Sequence, residues 1–377
     1  MQNMRTFVES KMSELGERPG KLAAVKAFEE ALRLKKLDPN EVSLRDLYEA
    51  FVGPVGRTSR AAFVIQESAI DTSFFQHAAG VFITTKIMEA YSAVPRIGRD
   101  LVTVQQTRKV NNRIVGFVGV EALKDVSEGG LYPDGTVYDR WADGTVGSKR
   151  GRILAITEEA INEDDTGGIL KLAGDLGELA AEDEEIHILN GIINPTYKPN
   201  GTTTAFFATS GSVTNDKTGN ALSTYANVET IMKLAAAIKQ PNDRPMIVNF
   251  NTLLVPFALL ATANSIANAT QIVRSPSIAP PAEKIDTIGS TPIPIPGIKS
   301  TMLLDQLTPP AGAAATNWYI GDPKKAFVFL EYWPLQVTAM PATSEDGFNR
   351  DITFKYKVRR RGTLVAQDNR FWFRSRA

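Results

Sequence analysis

Few side chains in this sequence have the types and the spacing that catalysis or metal binding requires. The chain of 377 residues contains two histidines, His77 and His187, and no cysteine. Neither histidine has a second ligand or a nucleophile at a characteristic spacing, so we interpret both as ordinary surface or packed side chains. The lack of cysteine excludes disulfides, thiolate metal sites and cysteine nucleophiles. We therefore expect no catalytic residues, no metal site and no cofactor.

Acidic side chains are concentrated in Thr157–Asn190, where eleven of them accompany a single lysine. Asn162–Gly167 resembles the start of a calcium-binding loop, but the twelfth position is Ala173 rather than the bidentate glutamate of such loops. The pair Glu158-Glu159 and the run Glu182–Glu185 show no arrangement that would tune a pKa, and we interpret them as a solvated face. The sequence also lacks glycine-rich phosphate-binding motifs and the Gly-x-Ser-x-Gly motif, so no class of enzyme is indicated.

The C-terminal segment is basic, with nine Lys or Arg residues and two acids from Arg350 onward. Apolar and polar residues alternate there with a period of two, which predicts a half-buried strand rather than a disordered arm that binds nucleic acid. The apolar positions are Ile352, Phe354, Tyr356 and Val358, and the polar positions are Thr353, Lys355, Lys357 and Arg359. A turn is predicted at Arg361-Gly362, followed by a return strand at Thr363–Ala366 and a second turn at Asp368-Asn369.

The overall composition is that of a soluble globular protein, with 43% hydrophobic and 22% charged residues. Lys plus Arg equals Asp plus Glu at 42 each, so no global field attracts DNA or an anionic membrane. We expect a soluble, intracellular chain, because no signal peptide is recognisable and the most apolar window, residues 246–263, is too short and too polar to span a bilayer. The separation of acidic and basic segments suits copies that meet through complementary patches, although solitary domains show it too.

Helical periodicity marks several segments. The predicted helices lie within residues 1–60, at Ser73–Ala93, at Gly168–Asn190, at Val228–Ile238 and after a cap at Asn251 or Thr252. Asn190-Gly191 is expected to end the long helix. The predicted apolar face of that helix consists of Ile169, Leu172, Leu176, Leu179 and Ile186.

The remaining patterns predict strands and a long loop, which makes the chain mixed α+β. The predicted strands are Arg113–Val120, a buried segment through Met246, Val248 and Phe250, and two apolar runs within Trp318–Leu330. Residues 121–156 are rich in turns and have few side chains for a core of their own. A connection of this length is typical of a functional or disordered loop.

Three groups of segments, in this order, resemble the major capsid proteins of tailed bacteriophages, specifically the Mu-like prophage head-subunit group. The first is VSEGGLYPDGTVYDRW followed by GRILAITEEAINEDD. The second is GELAAEDEEIHILNGIINP followed by a Thr/Gly-rich loop and STYANVETIMKLAAAIKQ. The third is YIGDPKKAFVFLEYWPLQV followed by ITFKYKVRRRGTLVAQDNRF. The resemblance extends from about Phe74 to Phe373 and does not cover residues 1–60.

The resemblance implies an α+β fold of the Hong Kong 97 type, also called the Johnson fold. The segments expected from it are an N-terminal helical extension (1–60), an N-arm (61–109), an extended loop (110–152), a P domain with a spine helix (153–198), an A domain (199–326), P-domain strands (327–361) and C-terminal strands returning toward the A domain (362–377). The long turn-rich loop is then explained, because an extended loop lies across a neighbouring subunit and needs no core of its own.

The implied function is that of a structural subunit, not an enzyme, which self-assembles into an icosahedral shell around viral double-stranded DNA. The implied partners are hexamers and pentamers of the chain itself, packaged DNA in non-specific contact, and scaffolding, portal and decoration proteins, with no membrane. The implied location is the virion capsid, after assembly in the host cytoplasm. Two alternatives stay open: an encapsulin-type shell subunit around a cargo enzyme, and a solitary nucleic-acid-binding protein that uses the basic tail.

Two sets of residues are candidates for contacts between subunits. Aromatic side chains on a loop without its own core predict burial against a partner, and for the extended loop these are Tyr132, Tyr138 and Trp141. The basic residues of the C-terminal strand are candidates for electrostatic contacts between subunits or with the lumen. They are Lys355, Lys357, Arg359, Arg360 and Arg361. We also expect residues 1–60 to be retained and to pack on the shell as amphipathic helices.

Overall fold

A computed structural model describes residues 23–27, 29–30, 69–108, 113–115, 119–120, 125–132, 134, 137–138, 141–144, 146–157, 168–240, 245–269, 272–274, 288–290, 295, 297–307, 316–340 and 352–377. Within these ranges, the backbone alone is described for residues 69–76, 119–120, 137–138, 272–274, 288–290, 340 and 352–354. The chain divides into two compact units. Unit 1 comprises Met1–Pro95, Lys149–Glu184 and Trp333–Arg361, and unit 2 comprises Arg96–Ser148, Glu185–Tyr332 and Gly362–Ala377.

The helices follow the predicted order. They are α1 (Ala69–Ala93), α2 (Ile97–Leu101), α3 (Gly168–Ile193), α4 (Tyr225–Ala236), a 3-10 turn at Phe257–Leu259, α5 (Leu260–Ala267), α6 (Met302–Gln306) and α7 (Pro323–Ala326). Residues 23–27 and 29–30 are also helical, and the rest of the predicted helices within residues 1–60 lie outside the described residues. The predicted helices at Ser73–Ala93 and Val228–Ile238 are confirmed as α1 and α4, with ends that differ by up to four residues.

Within the described residues, the strands form two larger sheets and three short ribbons. The strands are β1 (Thr103–Gln106), β2 (Arg113–Val115), β3 (Gly119–Val120), β4 (Val137–Tyr138), β5 (Trp141–Asp143), β6 (Ser148–Thr157), β7 (Asp216–Lys217), β8 (Thr252–Leu254), β9 (Ile272–Arg274), β10 (Ile288–Ser290), β11 (Ile298–Lys299), β12 (Trp318–Gly321), β13 (Phe327–Met340), β14 (Ile352–Ala366) and β15 (Trp372–Ser375). One sheet has the order β1-β13-β14-β6, and the other has the order β11-β8-β12-β15-β7. The mixed α+β class is therefore confirmed.

The core of unit 1 is built from α1, the first part of α3, and parts of β6, β13 and β14. Helix α1 buries Ala79, Phe82, Ile83 and Ile87, which recur at steps of three and four residues and so lie on one helix face. The described N-terminal residues add Ala24 and Val25 to the same cluster. A contact between Oε1 of Glu29 and Nε2 of His77, 2.8 Å apart, also links this N-terminal helix to α1.

The core of unit 2 lies on the five-stranded sheet. Strand β12 is antiparallel to both of its neighbours, so that Ile320 pairs with Phe373 of β15 and with Leu253 of β8. Trp318 and Trp372 are fully buried there. This pairing places the C-terminal strand in the interior of the sheet, where it contributes to folding rather than forming a free tail.

Two predictions that rest on glycine are wrong, namely the turn at Arg361-Gly362 and the helix end at Asn190-Gly191. Strand β14 runs without a turn through Arg361-Gly362, and α3 continues through Gly191 to Ile193. An ideal Cβ at Gly362 would be 2.5 Å from Cζ of Phe329, and one at Gly191 would be 2.5 Å from Cδ2 of Leu364. These glycines therefore permit close packing against a side chain rather than a turn or a helix cap.

The segment around residue 250 also differs from the prediction. The strand there is β8 (Thr252–Leu254), and residues 246–251 form no strand. Met246 is buried, whereas Val248 and Phe250 are only partly buried and pack against the core of unit 2. Thr252 begins this strand instead of capping a helix, and the next helical residues begin at Phe257. The predicted run Trp318–Leu330 is confirmed as β12, α7 and the start of β13.

Candidate interaction surfaces

A groove of about 470 Å³ in unit 1 is lined by residues of β6, β13, β14 and α3. Leu176, Leu179 and Leu335 belong to its apolar lining. Gly151 allows β6 to lie close to β14, because an ideal Cβ at this position would be 2.5 Å from the carbonyl oxygen of Val358. Leu179 is 45% exposed, so part of the apolar lining is open to solvent.

The same groove has a basic rim. Five cationic residues and one acid contribute to its lining, namely Lys149, Arg150, Arg152, Arg359, Arg360 and Asp183. Asp183 accepts a 2.6 Å hydrogen bond from Nη1 of Arg150, and it also pairs with the buried guanidinium of Arg360. Burial of Asp183 by itself raises its pKa, but the hydrogen bonds and charges of Arg360 and Arg150 hold that pKa below its ordinary value. Asp183 is thus ionised at neutral pH, and the cations of the lining outnumber it.

Strand β14 shows the alternation predicted from the sequence in its described side chains. Tyr356 and Val358 are buried in unit 1, whereas Lys357 between them is exposed. The side chains of Ile352 and Phe354 lie outside the described ones. The strand interpretation of the basic tail is therefore confirmed for the positions that the structure describes.

Most of the predicted basic set on β14 has partners inside unit 1. The guanidinium carbons of Arg359 and Arg361 lie 5.0 and 5.6 Å from the ring centre of Trp333, within the range of cation–π attraction. Nε of Arg359 also donates a 3.2 Å hydrogen bond to Gln336. Arg360 is buried beside Asp183, and Lys355 is half-buried. Of the five basic residues, only Lys357 is exposed. These contacts reduce the number of basic side chains on β14 that are available to bind another molecule.

The predicted extended loop contains two short antiparallel pairs. Strand β2 pairs with β5, and β3 pairs with β4. Between β3 and β4, Ser127–Gly130 forms a turn in which the N–H of Gly130 donates to the carbonyl oxygen of Ser127 at 2.8 Å. Gly129 in this turn has a φ of 79°, a left-handed conformation that favours glycine.

The tip of this loop, residues 125–134, exposes two large apolar side chains. Leu131 is 97% exposed and Tyr132 is 86% exposed. The tip contains three acids and no basic residue; the acids are Asp125, Glu128 and Asp134. Apolar groups presented to water in this way are typical of a contact with another molecule.

The other two aromatic residues predicted to contact a neighbouring subunit, Tyr138 and Trp141, lie nearer the base of the loop. Trp141 is half-buried, and the guanidinium carbon of Arg113 lies 5.3 Å from its ring centre. The backbone N–H of Asn200 donates a 2.8 Å hydrogen bond to the carbonyl oxygen of Trp141. Trp141 thus has contacts within its own unit, while the side chain of Tyr138 lies outside the described ones.

The described residues offer no arrangement suited to metal binding, since no group of three or more His, Asp or Glu residues could hold an ion. The predicted solvated face at Glu182–Glu185 is wrong in part, because Glu184 and Glu185 are only 2% and 3% exposed. Glu184 accepts a hydrogen bond from the hydroxyl of Tyr91. Glu185 accepts hydrogen bonds from backbone N–H groups at the start of α2. These acids therefore have structural partners.

A family model described as "Phage capsid protein" matches residues 145–375, more than half of the chain. The chain belongs to the phage capsid protein family. It is a structural capsid protein, and a capsid is built from repeated copies of its subunit. None of the helices in the described part of this capsid protein is both long and apolar enough to cross a membrane. No curated protein matches the sequence.

Several solved structures are similar to this capsid protein at low sequence identity. A virus-like particle from Pyrococcus furiosus has 11% identity and a TM-score of 0.40, with 77% of this chain and 96% of that chain covered. The mature capsid of bacteriophage PhiM1 has 14% identity and a TM-score of 0.45, with 75% and 87% covered. The capsid of cyanophage P-SCSP1u has 12% identity and a TM-score of 0.46, with 75% and 88% covered.

The family match contains the groove but not the loop tip of this capsid protein. Sequence reasoning identified the exposed Tyr132 but missed Asp183, Arg150 and Trp333, which organise the basic residues of unit 1. A lone aspartate inside an acidic helix gives no signal of its own. Only the fold brings it beside two arginines that are distant in sequence.

Proposed function

We propose that copies of this capsid protein assemble, as subunits of the Hong Kong 97 type, into a closed icosahedral shell around viral double-stranded DNA. The observation that carries the proposal is the extended loop, whose tip presents Leu131 and Tyr132 to solvent. Burying a large apolar side chain is worth roughly 1.5–3 kcal/mol, so a subunit that leaves two exposed gains stability from a neighbour that covers them. Membership in the phage capsid protein family supports the same conclusion.

The domain assignment is part of this proposal. The extended loop is residues 110–152, the P domain combines residues 153–198 with 327–361, and the A domain is residues 199–326. Two described features support it: two short antiparallel strand pairs lie within residues 110–152, and the long helix α3 falls within the segment expected to hold a spine helix. Strand β15, within the C-terminal segment 362–377, pairs with β12 of the A domain.

The exposed basic residues have a role in this proposal. Lys357 lies on the face of β14 that does not enter the core of unit 1, and it would contact either a neighbouring subunit or the packaged DNA. Contacts with DNA would be to phosphates, which any sequence supplies, so they would weaken steeply with salt. We further propose that the shell consists of hexamers and pentamers of the chain, that scaffolding, portal and decoration proteins are partners, and that assembly takes place in the host cytoplasm.

Electron microscopy of the purified recombinant chain, together with analysis of the particle contents, tests this proposal. We expect closed shells of uniform size, and we expect particles from infected cells to contain double-stranded DNA that resists added nuclease. Shells that enclose a protein cargo instead of DNA would indicate a compartment of the encapsulin type. A chain that stays monomeric at high concentration and binds DNA through its basic residues would contradict the proposal.

A further inference from the structure

A tight hairpin in unit 2 lies beside the base of the extended loop. The N–H of Thr202 donates a 3.1 Å hydrogen bond to the carbonyl oxygen of Pro199. The two residues between them, Asn200 and Gly201, have φ angles of 53° and 81°. Positive φ at both central positions defines a type I′ turn, for which Asn-Gly is a preferred sequence. Among the described residues other than glycine, only Asn200 has a positive φ.

Three hydrogen bonds join this hairpin to strand β5 of the extended loop. The N–H of Asp143 donates to the carbonyl oxygen of Lys198 at 3.0 Å. The N–H of Asn200 donates to the carbonyl oxygen of Trp141 at 2.8 Å. In return, Oδ1 of Asn200 accepts a 3.3 Å hydrogen bond from the N–H of Trp141. Asn200 thus pairs with both main-chain groups of Trp141, and its side chain supplies an acceptor that glycine or an apolar residue would lack.

The base of the loop is therefore held on both edges and on one face. Ala142, the middle residue of β5, pairs with Ile114 of β2 on one edge and with Pro199 of the hairpin on the other. The Ala142 side chain is 1% exposed and belongs to a core cluster with Val328 and Leu330 of β13. The direction in which the loop leaves its subunit is set at this base.

We infer that the Asn200-Gly201 turn is a clamp on the extended loop and that Asn200 is a positioning residue for shell assembly. This assembly role rests on the proposed function. Copies in a symmetric shell repeat the same contacts, so every copy must present its loop in the same direction. A non-glycine residue with positive φ is strained unless its surroundings hold it, and the hydrogen bonds with Trp141 do so. Loss of the Asn200 side chain weakens this hold and spares the core of unit 2, because the residue is exposed.

Hydrogen exchange in the unassembled subunit tests the clamp by itself. Asn200→Gly keeps positive φ accessible and removes the side-chain acceptor, so the amides of Trp141 and Asp143 should exchange about 2- to 12-fold faster. That factor corresponds to the roughly 0.5–1.5 kcal/mol that one hydrogen bond contributes. Asn251→Gly, which removes another exposed asparagine of unit 2, is the matched control and should leave both amides unchanged. Parent-like exchange of the two amides in Asn200→Gly would overturn the clamp.

An engineered disulfide tests whether the closed clamp is the form that assembles. The chain has no cysteine of its own. Ala142 and Pro199 face each other as a non-hydrogen-bonded antiparallel pair, because the residues that flank them carry the hydrogen bonds. The Cα atoms of such a pair lie about 4.5 Å apart, within the roughly 4.4–6.8 Å that a disulfide spans. Ala142→Cys with Pro199→Cys therefore closes the clamp covalently on oxidation and frees it again on reduction.

These two substitutions are combined with Asn200→Val, because a β-branched residue strongly disfavours positive φ and offers no acceptor. The reduced triple variant should lose most of the parent's shell yield at equal subunit concentration, and oxidation should restore it. The matched control carries Asn200→Val with Ala142→Cys alone, which cannot close the clamp, and its yield should stay low in both redox states. Thermal melting should show folded subunits throughout, and Asn200→Gly takes the place of Asn200→Val if that subunit does not fold.

Two assembly results would overturn the positioning role of Asn200. The first is an equal shell yield in the two redox states of the triple variant, and the second is a higher yield on reduction. Failure of the parent chain to form shells would contradict the proposed function and, with it, the assembly role of Asn200. The exchange result would then decide the clamp separately.

Discussion

Replacing the fully buried Tyr356 of β14 distinguishes a structural strand from a nucleic-acid-binding tail. The Tyr356 ring has 0% exposure in the core of unit 1, and truncating an aromatic side chain at such a site costs about 3–5 kcal/mol. A loss of 1 kcal/mol lowers the melting temperature by about 2–4 °C in a domain of 150–250 residues, so Tyr356→Ala should melt about 6–20 °C below the parent. The neighbouring Lys357→Glu changes an exposed side chain, so its free energy of unfolding should stay within about 0.5 kcal/mol of the parent value.

The assay is thermal melting of unassembled subunits, followed by shell yield and DNA binding across a range of salt. Tyr356→Phe is the matched control: burial raises the pKa of Tyr356, so the hydroxyl is neutral at working pH and its removal keeps both the ring and the charge. We expect Lys357→Glu to preserve melting but to lower shell yield, since one change is repeated at every symmetric contact. Parent-like melting of Tyr356→Ala, with DNA affinity lost in Lys357→Glu, would refute the strand interpretation.

Further predictions concern α3 and the N-terminal segment. Gly177→Ala should lower the melting temperature, because the added Cβ would collide with a backbone carbonyl of α1. Gly174→Ala, one turn earlier and with room for a Cβ, should stabilise the subunit by up to about 1 kcal/mol. Equal melting temperatures of the two variants would contradict this packing. Asp183→Asn should lower the free energy of unfolding by about 1–3 kcal/mol, because it leaves the buried Arg360 without a carboxylate. This loss is smaller than the loss from breaking a fully buried ion pair. Because the pKa of Asp183 is lowered by folding, this contribution is present above about pH 3.9 and is lost as pH falls through the folded pKa, so the melting difference should shrink in acid. Mass spectrometry of finished particles should find residues 1–60 intact, because Ala24 and Val25 are buried in the core of unit 1, and a cleaved N-terminus would contradict this.

The elements that the sequence predicted well are those with a clear hydrophobic period. The alternation at Tyr356, Lys357 and Val358 identified β14, and the long helices were located to within four residues. The role of glycine was predicted wrongly at two positions. A sequence does not distinguish a glycine that forms a turn or ends a helix from one that leaves space for a neighbouring side chain. Gly362 and Gly191 belong to the second kind, and Phe329 and Leu364, the side chains they admit, are distant in sequence.

The face of α3 shows a second limit of sequence reasoning. Leu172, Leu179 and Ile186 belong to the predicted apolar face, yet they are 50%, 45% and 38% exposed. Ile169 of the predicted face is buried, and the other buried positions of α3 include both large residues, such as Leu170 and Ile188, and the small residues Ala173 and Ala181 near α1. The sequence period alone therefore did not identify which side of α3 faces the core.

The candidate contact residues were predictable only where exposure followed from the absence of a local core. Tyr132 was identified in this way, and it is exposed. The groove was not predicted, since it is formed by β6 and α3 on one side and by β13 and β14 on the other, and these two pairs of elements are far apart in the chain. Its charge depends on Asp183, whose two arginine partners lie 33 and 177 residues away.

We propose that the extended loop holds the subunits of this capsid protein together in a closed shell. Electron microscopy of the parent chain beside a variant with Ser127–Val146 replaced by a short Gly-Ser turn tests this proposal. We expect closed shells from the parent, and soluble, folded subunits from the variant that do not close into shells. Shells of normal size and yield from the variant would show that the loop is not needed for closure.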